Sequence, residues 1–217
     1  MVCLACGVLS PSSLCGPCRL HLRAAPEQAL PGVGVVSSGF RHEGPARTLV
    51  HHLKYRGVVA AGRVLAEAMA PLVPPAAVLV PVVRVGWRRL KYGVDPAVEL
   101  CRQLSRLTGR PVVGALAAPL WGRARAGGHH GFAPRFRRVR PVDGDVVLVD
   151  DVVTTGSTLV AAAQVLSTVT GAVTATSSIG CRPRALSPTD SKVTSLVPDQ
   201  PEERVTWKSW SQAARST

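Results

Sequence analysis

Aromatic rings are scarce in this chain: three Phe, two Tyr and four Trp among 217 residues, although 46% of positions are hydrophobic. A core so poor in rings has to be built from Val, Leu and Ala, which suits a Val-rich parallel sheet covered by helices. Apolar runs of 18 or more residues are also missing, and the opening MVCLACGVLS has neither the basic start nor the long apolar stretch of a secretory signal. The expectation is a cytoplasmic protein that does not insert into a membrane. No G-x-x-x-x-G-K-[ST] segment occurs, so a nucleoside-triphosphatase P-loop is excluded. Acidic residues are few, 13 against 26 Lys and Arg.

The resulting charge of +13 is concentrated in one stretch. Residues 84–140 hold 13 Lys or Arg against Asp95 and Glu99, a net of +11. Such a segment attracts polyphosphates and nucleic acid alike, single-stranded DNA included, with strong salt dependence. An Arg-rich solvated surface is the plainer reading. Trp87 and Trp121 lie within this stretch and are able to stack on bases, although packing of loops is the favoured reading of two such residues.

Periodicity gives an alternating order of strands and helices. GVGVVSSGF (32–40) reads as a short strand, Pro45 onward as a helix stopped by Gly57, and Val58 to Leu72 as a second helix. AVLVPVV (77–83) has strand length, Val94 to Leu107 is helical up to Gly109, and PVVGAL from Pro111 reads as a further strand. WGRARAGGHHG (121–131) reads as a mobile loop, and its His129 and His130 receive no role. A strand VVLVD, a helix from Ser157 to Val169 and a strand AVTATSSIG complete the pattern. This alternation predicts an α/β fold with a parallel sheet, whose ligand sites lie at the carboxyl ends of strands. Beyond Arg184 the chain is polar, with four basic and four acidic residues, and reads as a disordered or loosely attached tail.

The most informative segment is VVLVDDVVTTGSTL, Val146 to Leu159. A buried-type strand delivers Asp150 and Asp151 to its carboxyl end. Thr154, Thr155, Gly156, Ser157 and Thr158 then turn the chain into a helix. Hydroxyl groups supply donors, glycine permits close backbone approach, and the first N–H groups of a helix favour an anion. Two adjacent carboxylates repel, so compensation is required, and ribose hydroxyls or Mg²⁺ provide it chemically. The alternative is a strand end followed by an ordinary N-cap, which needs one such residue rather than a run of them.

This segment resembles the 5-phosphoribosyl-1-pyrophosphate (PRPP) motif of type I phosphoribosyltransferases. The resemblance implies that Asp150 and Asp151 contact ribose hydroxyls and that Thr154 to Thr158 cradle the 5-phosphate. The reaction it implies is displacement of Mg²⁺-bound pyrophosphate by a nitrogen nucleophile, carried by charge stabilisation and exclusion of water. No catalytic side chain is assigned.

Cys3-x-x-Cys6 and Cys15-x-x-Cys18 supply four soft ligands, and zinc is the metal they fit. A redox dithiol or incidental thiols are the alternatives, but one redox pair leaves the second pair unexplained. A unit this small has no core of its own, so the metal supplies the folding free energy. Cys101 and Cys181 read as packed or incidental thiols.

A four-cysteine knuckle ahead of a PRPP motif resembles the ComF family of bacterial proteins, associated with DNA uptake in natural competence. The likeness spans roughly residues 3–183 and includes LKYRG at Leu53 to Gly57 and VPV at Val80 to Val82. It implies a type I phosphoribosyltransferase-like parallel sheet flanked by helices (31–183) behind a zinc knuckle (1–30), with 184–217 as the tail. It also implies that Val82, Val83 and Arg84 line a pyrophosphate loop. The family's Arg-Gly-Phe-Asn-Gln segment is replaced by Tyr92, Gly93, Val94, Asp95 and Pro96, and its Pro-Gln stretch is not recognisable in WGRARAGGHHGF. Both departures favour retained phosphate binding over retained turnover. Three functions stay open: a ComF-like PRPP-binding protein of DNA uptake or processing, a working phosphoribosyltransferase, and a non-catalytic PRPP sensor.

Overall fold

The structure is a computed structural model that describes residues 1–119 and 135–179, and for residues 87–89 the backbone alone. The expected loop 121–131 with Trp121, His129 and His130, Cys181, the tail 184–217 and the Trp87 side chain lie outside the described residues.

Along the chain come α1 (Gly16–Leu20), β1 (Gln28–Leu30), β2 (Gly34–Arg41), α2 (Gly44–Arg56), α3 (Val59–Met69), β3 (Val78–Pro81), α4 (Gly86–Tyr92) and α5 (Pro96–Thr108). There follow β4 (Leu116–Ala117), β5 (Arg137–Arg138), β6 (Val146–Val153), α6 (Ser157–Ala163) and β7 (Val169–Ser177). Five strands form one sheet in the order β1-β2-β7-β6-β3. All neighbours run parallel except β1, which is antiparallel to β2.

The helices form where the sequence supplies both a stripe and an end. In α2 the buried positions Ala46, Leu49, Val50 and Leu53 follow helical spacing behind Pro45, and Gly57 closes the helix at φ 64°. In α5 the buried Ala97, Leu100, Cys101 and Leu104 do the same between Pro96 and Gly109. α2, α3 and α5 pack Leu53, Leu65 and Leu100 on one sheet face, against Val147, Val149, Val173 and Ala175. The other face buries Val146, Leu148 and Ala172 under Leu159 and Ala162 of α6, with Leu116 and Phe136 beside them. Successive residues of VVLV thus point to opposite, equally covered faces, the physical reason for a continuous apolar run.

Several elements differ from the sequence reading. The helix expected from Ser157 to Val169 stops at Ala163: Val165 and Leu166 donate to the carbonyls of Ala162 and Ala163, three residues back, tightening the last turn. The β-branched Thr168, Val169 and Thr170 then favour strand. The strand expected over PVVGAL from Pro111 is broken into a bridge between Val112 and Leu79 and the start of β4 at Leu116, because Pro111 lacks an N–H and Gly114 gives no side chain to pack. Conversely, β1 forms inside PEQALPG, read as a connector, so the boundary near residue 30 coincides with the end of a strand of the sheet. α4 and the two-residue β4–β5 ladder carry no periodic signal. β6 continues through both aspartates to Val153, three residues beyond VVLVD.

The N-terminal unit is seated on the main core. Cys3 and Leu14 belong to the cluster under α2, α3 and α5, with Leu4 and Leu22 packed beside them. Among the described residues, no helix is long and apolar enough to cross a membrane.

Candidate functional site

β6 ends its pairing with β3 at Val149, opposite Pro81, while β7 continues beside it to Ser177. Asp150 and Asp151 therefore emerge where the sheet opens, and the chain turns through Thr154 and Thr155 into α6. A shallow cleft is lined by Asp150 and residues 152–159. Its floor is polar: the Thr155 hydroxyl donates to Ser157 Oγ at 3.1 Å, and the Ser157 N–H reaches back to Thr155 Oγ1 at 3.4 Å.

Gly156 has two local reasons to be glycine. Its φ is +76°, in the left-handed region. A Cβ there would lie 2.5 Å from Leu30 Cδ2, so the edge strand β1 leans a leucine directly on the loop. Both constraints are internal to the fold and stand beside the close ligand approach read from sequence.

The two aspartates differ sharply. Asp151 is 5% exposed and both of its oxygens are occupied: Lys54 Nζ donates to Oδ1 at 2.9 Å and Arg84 Nη2 to Oδ2 at 3.2 Å. Arg84 also donates to the Lys54 carbonyl at 3.0 Å, and its backbone N–H to Asp95 Oδ2 at 3.0 Å. Asp150 faces the cleft. Its Oδ1 accepts the Asp151 N–H at 2.8 Å. Desolvation, then the adjacent Asp151 charge, pushes its carboxyl up to about 8, with Lys54 acting in the opposite direction. Near neutrality Asp150 is thus poised between hydrogen-bond donor and acceptor.

Lys54 and Arg84 are the compensation that two adjacent carboxylates demand. Lys54 was visible within LKYRG, but a lysine in the last turn of a helix reads first as a complement to the helix dipole. Arg84, expected to line a pyrophosphate loop, has its guanidinium turned to Asp151. Val82 and Val83 are packed in the core, and the Val82 N–H donates to the Val149 carbonyl at 2.9 Å.

Sequence reasoning also missed a ladder of hydroxyls between β2 and β7. Ser38 Oγ and Thr174 Oγ1 lie 2.7 Å apart, and His42 Nδ1 meets Thr176 Oγ1 at 2.9 Å. Burial first, then the Arg47 and Lys54 charges, lowers the pKa of His42. These residues are separated by more than 130 positions in the chain, so no local pattern announces them.

At the other ligand-type site, the Sγ atoms of Cys3, Cys6, Cys15 and Cys18 all lie within 4.8 Å of one another. Four Zn–S bonds of about 2.3 Å place tetrahedral sulfurs roughly 3.8 Å apart, and Cys6 and Cys15 are at 3.6 Å. Zinc fits this set. Gly7, at φ +77°, turns the chain after the first pair, and α1 starts at the second with Cys15 in the N-cap position. Burial works against a thiolate at Cys3, but backbone N–H groups of Cys15, Cys6 and Ala5 donate to it and bring its pKa to about 6. Burial, then the neighbouring sulfurs, drives Cys18 upward. One thiolate forms readily while another resists, and a divalent cation is what lets four coexist. Cys101 is fully buried on α5.

No protein-family model and no curated protein matches the chain. The described residues define a mixed α/β protein with a mostly parallel five-stranded sheet and an N-terminal four-cysteine cluster suited to zinc.

Proposed function

We propose that this chain is a ComF-like protein with a type I phosphoribosyltransferase-like domain. In this reading it binds PRPP, or a related ribose 5-phosphate ligand with Mg²⁺, and serves DNA uptake or processing in the cytoplasm. The observation that carries the reading is a single cleft-facing carboxylate, Asp150, beside a hydroxyl-lined loop at the carboxyl end of a central parallel strand. That is where α/β sheets place their ligands. Thr154 to Thr158 take the phosphate, Asp150 takes the ribose hydroxyls or Mg²⁺, and Asp151 with Lys54 and Arg84 holds Asp150 in place. The four cysteines hold structural zinc, and reduced thiols suit the cytoplasm.

Binding is favoured over transfer because Arg84, the cation expected in the polyphosphate loop, is committed to Asp151. Isothermal calorimetry with PRPP and Mg²⁺, beside ribose 5-phosphate, tests the reading. Binding of both ligands, weakened by Thr155→Ala, is expected; heat from neither removes it. The nucleic-acid role is tested separately with labelled single-stranded DNA. Affinity that does not fall steeply with salt excludes a contact through the basic segment 84–140.

A further inference from the structure

The knuckle is joined to the rest of the fold at the elements that support the cleft. Leu4, between the first two cysteines, and Leu22, one turn after the last, pack on the cluster that contains Leu49, Val50 and Leu53 of α2. The ring of His52, on the same helix, interacts with the Leu4 backbone. Beyond α1 the chain is pinned to the end of β2, where the Arg41 N–H donates to the Arg23 carbonyl at 2.8 Å.

Two supports of the cleft start from these contacts. The first runs through α2. Lys54, two residues after His52, donates to Asp151 Oδ1 at 2.9 Å, and the Lys54 carbonyl accepts from Arg84 at 3.0 Å. Residues two apart do not share a helix face, so α2 turns one side to the knuckle and another to Asp151. An aromatic strip ties the same turn to α4: His51 meets Tyr55 at 5.2 Å, and Tyr55 meets Tyr92 at 5.3 Å. The second support runs through β1, which the chain enters shortly after Arg23. This segment is held by the Ser37 hydroxyl, which donates to Glu27 at 2.7 Å, and by the Gln28 amide, which donates to the Ile179 carbonyl at 3.1 Å. Leu30 of β1 then sits against Gly156 and backs the loop.

We propose that the knuckle is a metal-dependent brace of the cleft, with His52 as its positioning residue. With the four sulfurs gathered on a cation, Leu4 holds His52 and α2 keeps Lys54 on Asp151, while the chain from Cys18 to β1 keeps Leu30 on Gly156. Without the cation a segment this small has no core to keep its shape. Both supports then slacken locally while the rest of the sheet stays folded. The inference rests on the zinc reading of the four cysteines and is independent of which ligand the cleft takes.

Amide hydrogen exchange of the full chain, read by mass spectrometry without ligand, tests the brace. Three proteins are compared zinc-loaded: the unsubstituted chain, His52→Ala, and His52→Gln, which keeps a hydrogen-bond donor. The unsubstituted chain is also measured after chelation. Removing zinc is expected to speed exchange more than about tenfold in residues 50–56 and 150–158, with α5 keeping its protection. Zinc-loaded His52→Ala should show a smaller rise in the same two segments, roughly fivefold for one lost hydrogen bond, with its metal content unchanged. His52→Gln should restore protection. A rise confined to residues 1–23 on chelation overturns the brace, and so does an equal rise in α5, which would make the metal a general support of the fold. Unchanged exchange in His52→Ala removes His52 from the device. Metal content measured alongside separates these failures from failure of the zinc reading, which falls if the loaded chain holds no zinc.

Discussion

The cysteine knuckle and the carboxyl-end cleft both gather groups that repel one another, and they solve the problem in opposite ways. In the knuckle four sulfurs converge and, among the described residues, backbone N–H groups rather than cations face them, so the compensating charge is expected from a bound cation. In the cleft Asp151 is neutralised from within by Lys54 and Arg84, so the site is already held before any ligand arrives. One region gathers groups that call for a cation; the other balances its charge with its own side chains.

The largest effect that tests this contrast is removal of metal. Zinc affinity in such four-cysteine units is on the order of 10 kcal/mol of folding free energy, so chelation or Cys6→Ser is expected to melt residues 3–20. It should also lower the thermal midpoint of the whole chain, because Cys3 and Leu14 are part of the main core. Metal analysis should find one zinc per chain. A midpoint indifferent to chelator breaks the comparison at its first half.

Next comes the ion-paired carboxylate. Asp151→Asn leaves two cations facing a neutral group in a mostly buried setting and is expected to cost about 3 kcal/mol or more in denaturant unfolding. Asp150→Asn, which removes a desolvated carboxyl that has no ion pair among the described residues, should leave stability nearly unchanged or improved and weaken binding of the proposed ligand. Equal losses from both substitutions would show that the two aspartates are not divided between support and binding.

Gly156→Ala is expected to cost about 1–2 kcal/mol for a left-handed φ, with more from the Leu30 side chain it would strike. The double variant with Leu30→Ala should recover the second part and not the first, which a thermodynamic cycle resolves.

A pH slope completes the comparison. Asp150 is raised to about 8 in the folded protein, against about 3.9 for an unperturbed aspartate. Between those values the folded state holds the extra proton, so this group makes stability fall as pH rises from about 4 to 8. Unfolding at pH 5 and pH 8 should show the trend, and Asp150→Asn should flatten it.

The parallel sheet, the helical stripes of α2 and α5 and the four-cysteine cluster were legible because each is written in local spacing. Residues 146–149 announced a strand buried on both faces, and the run from Thr154 to Thr158 announced a turn rich in donors. What sequence could not divide was the pair Asp150 and Asp151. Adjacent residues of one strand look alike in one dimension, and the arrival of Lys54 and Arg84 from 97 and 67 positions away separates them. β1 stayed hidden for a related reason: the four residues between Pro26 and Pro31 are too few to show a period, and their strand exists only because Val35 and Val36 of β2 offer an edge to pair with.

α2 carries consequences for engineering beyond any single contact. Within five consecutive residues it sends His51 to the aromatic strip, His52 towards the Leu4 backbone of the knuckle, Leu53 into the core, Lys54 to Asp151 and Tyr55 to Tyr92. Each successive residue is turned by about 100° around the helix axis, so these destinations are indexed by count as much as by chemistry. Inserting one alanine before His51 would preserve every side chain in the list yet rotate all five away from their targets at once. The length of this helix therefore cannot drift without moving all five contacts together.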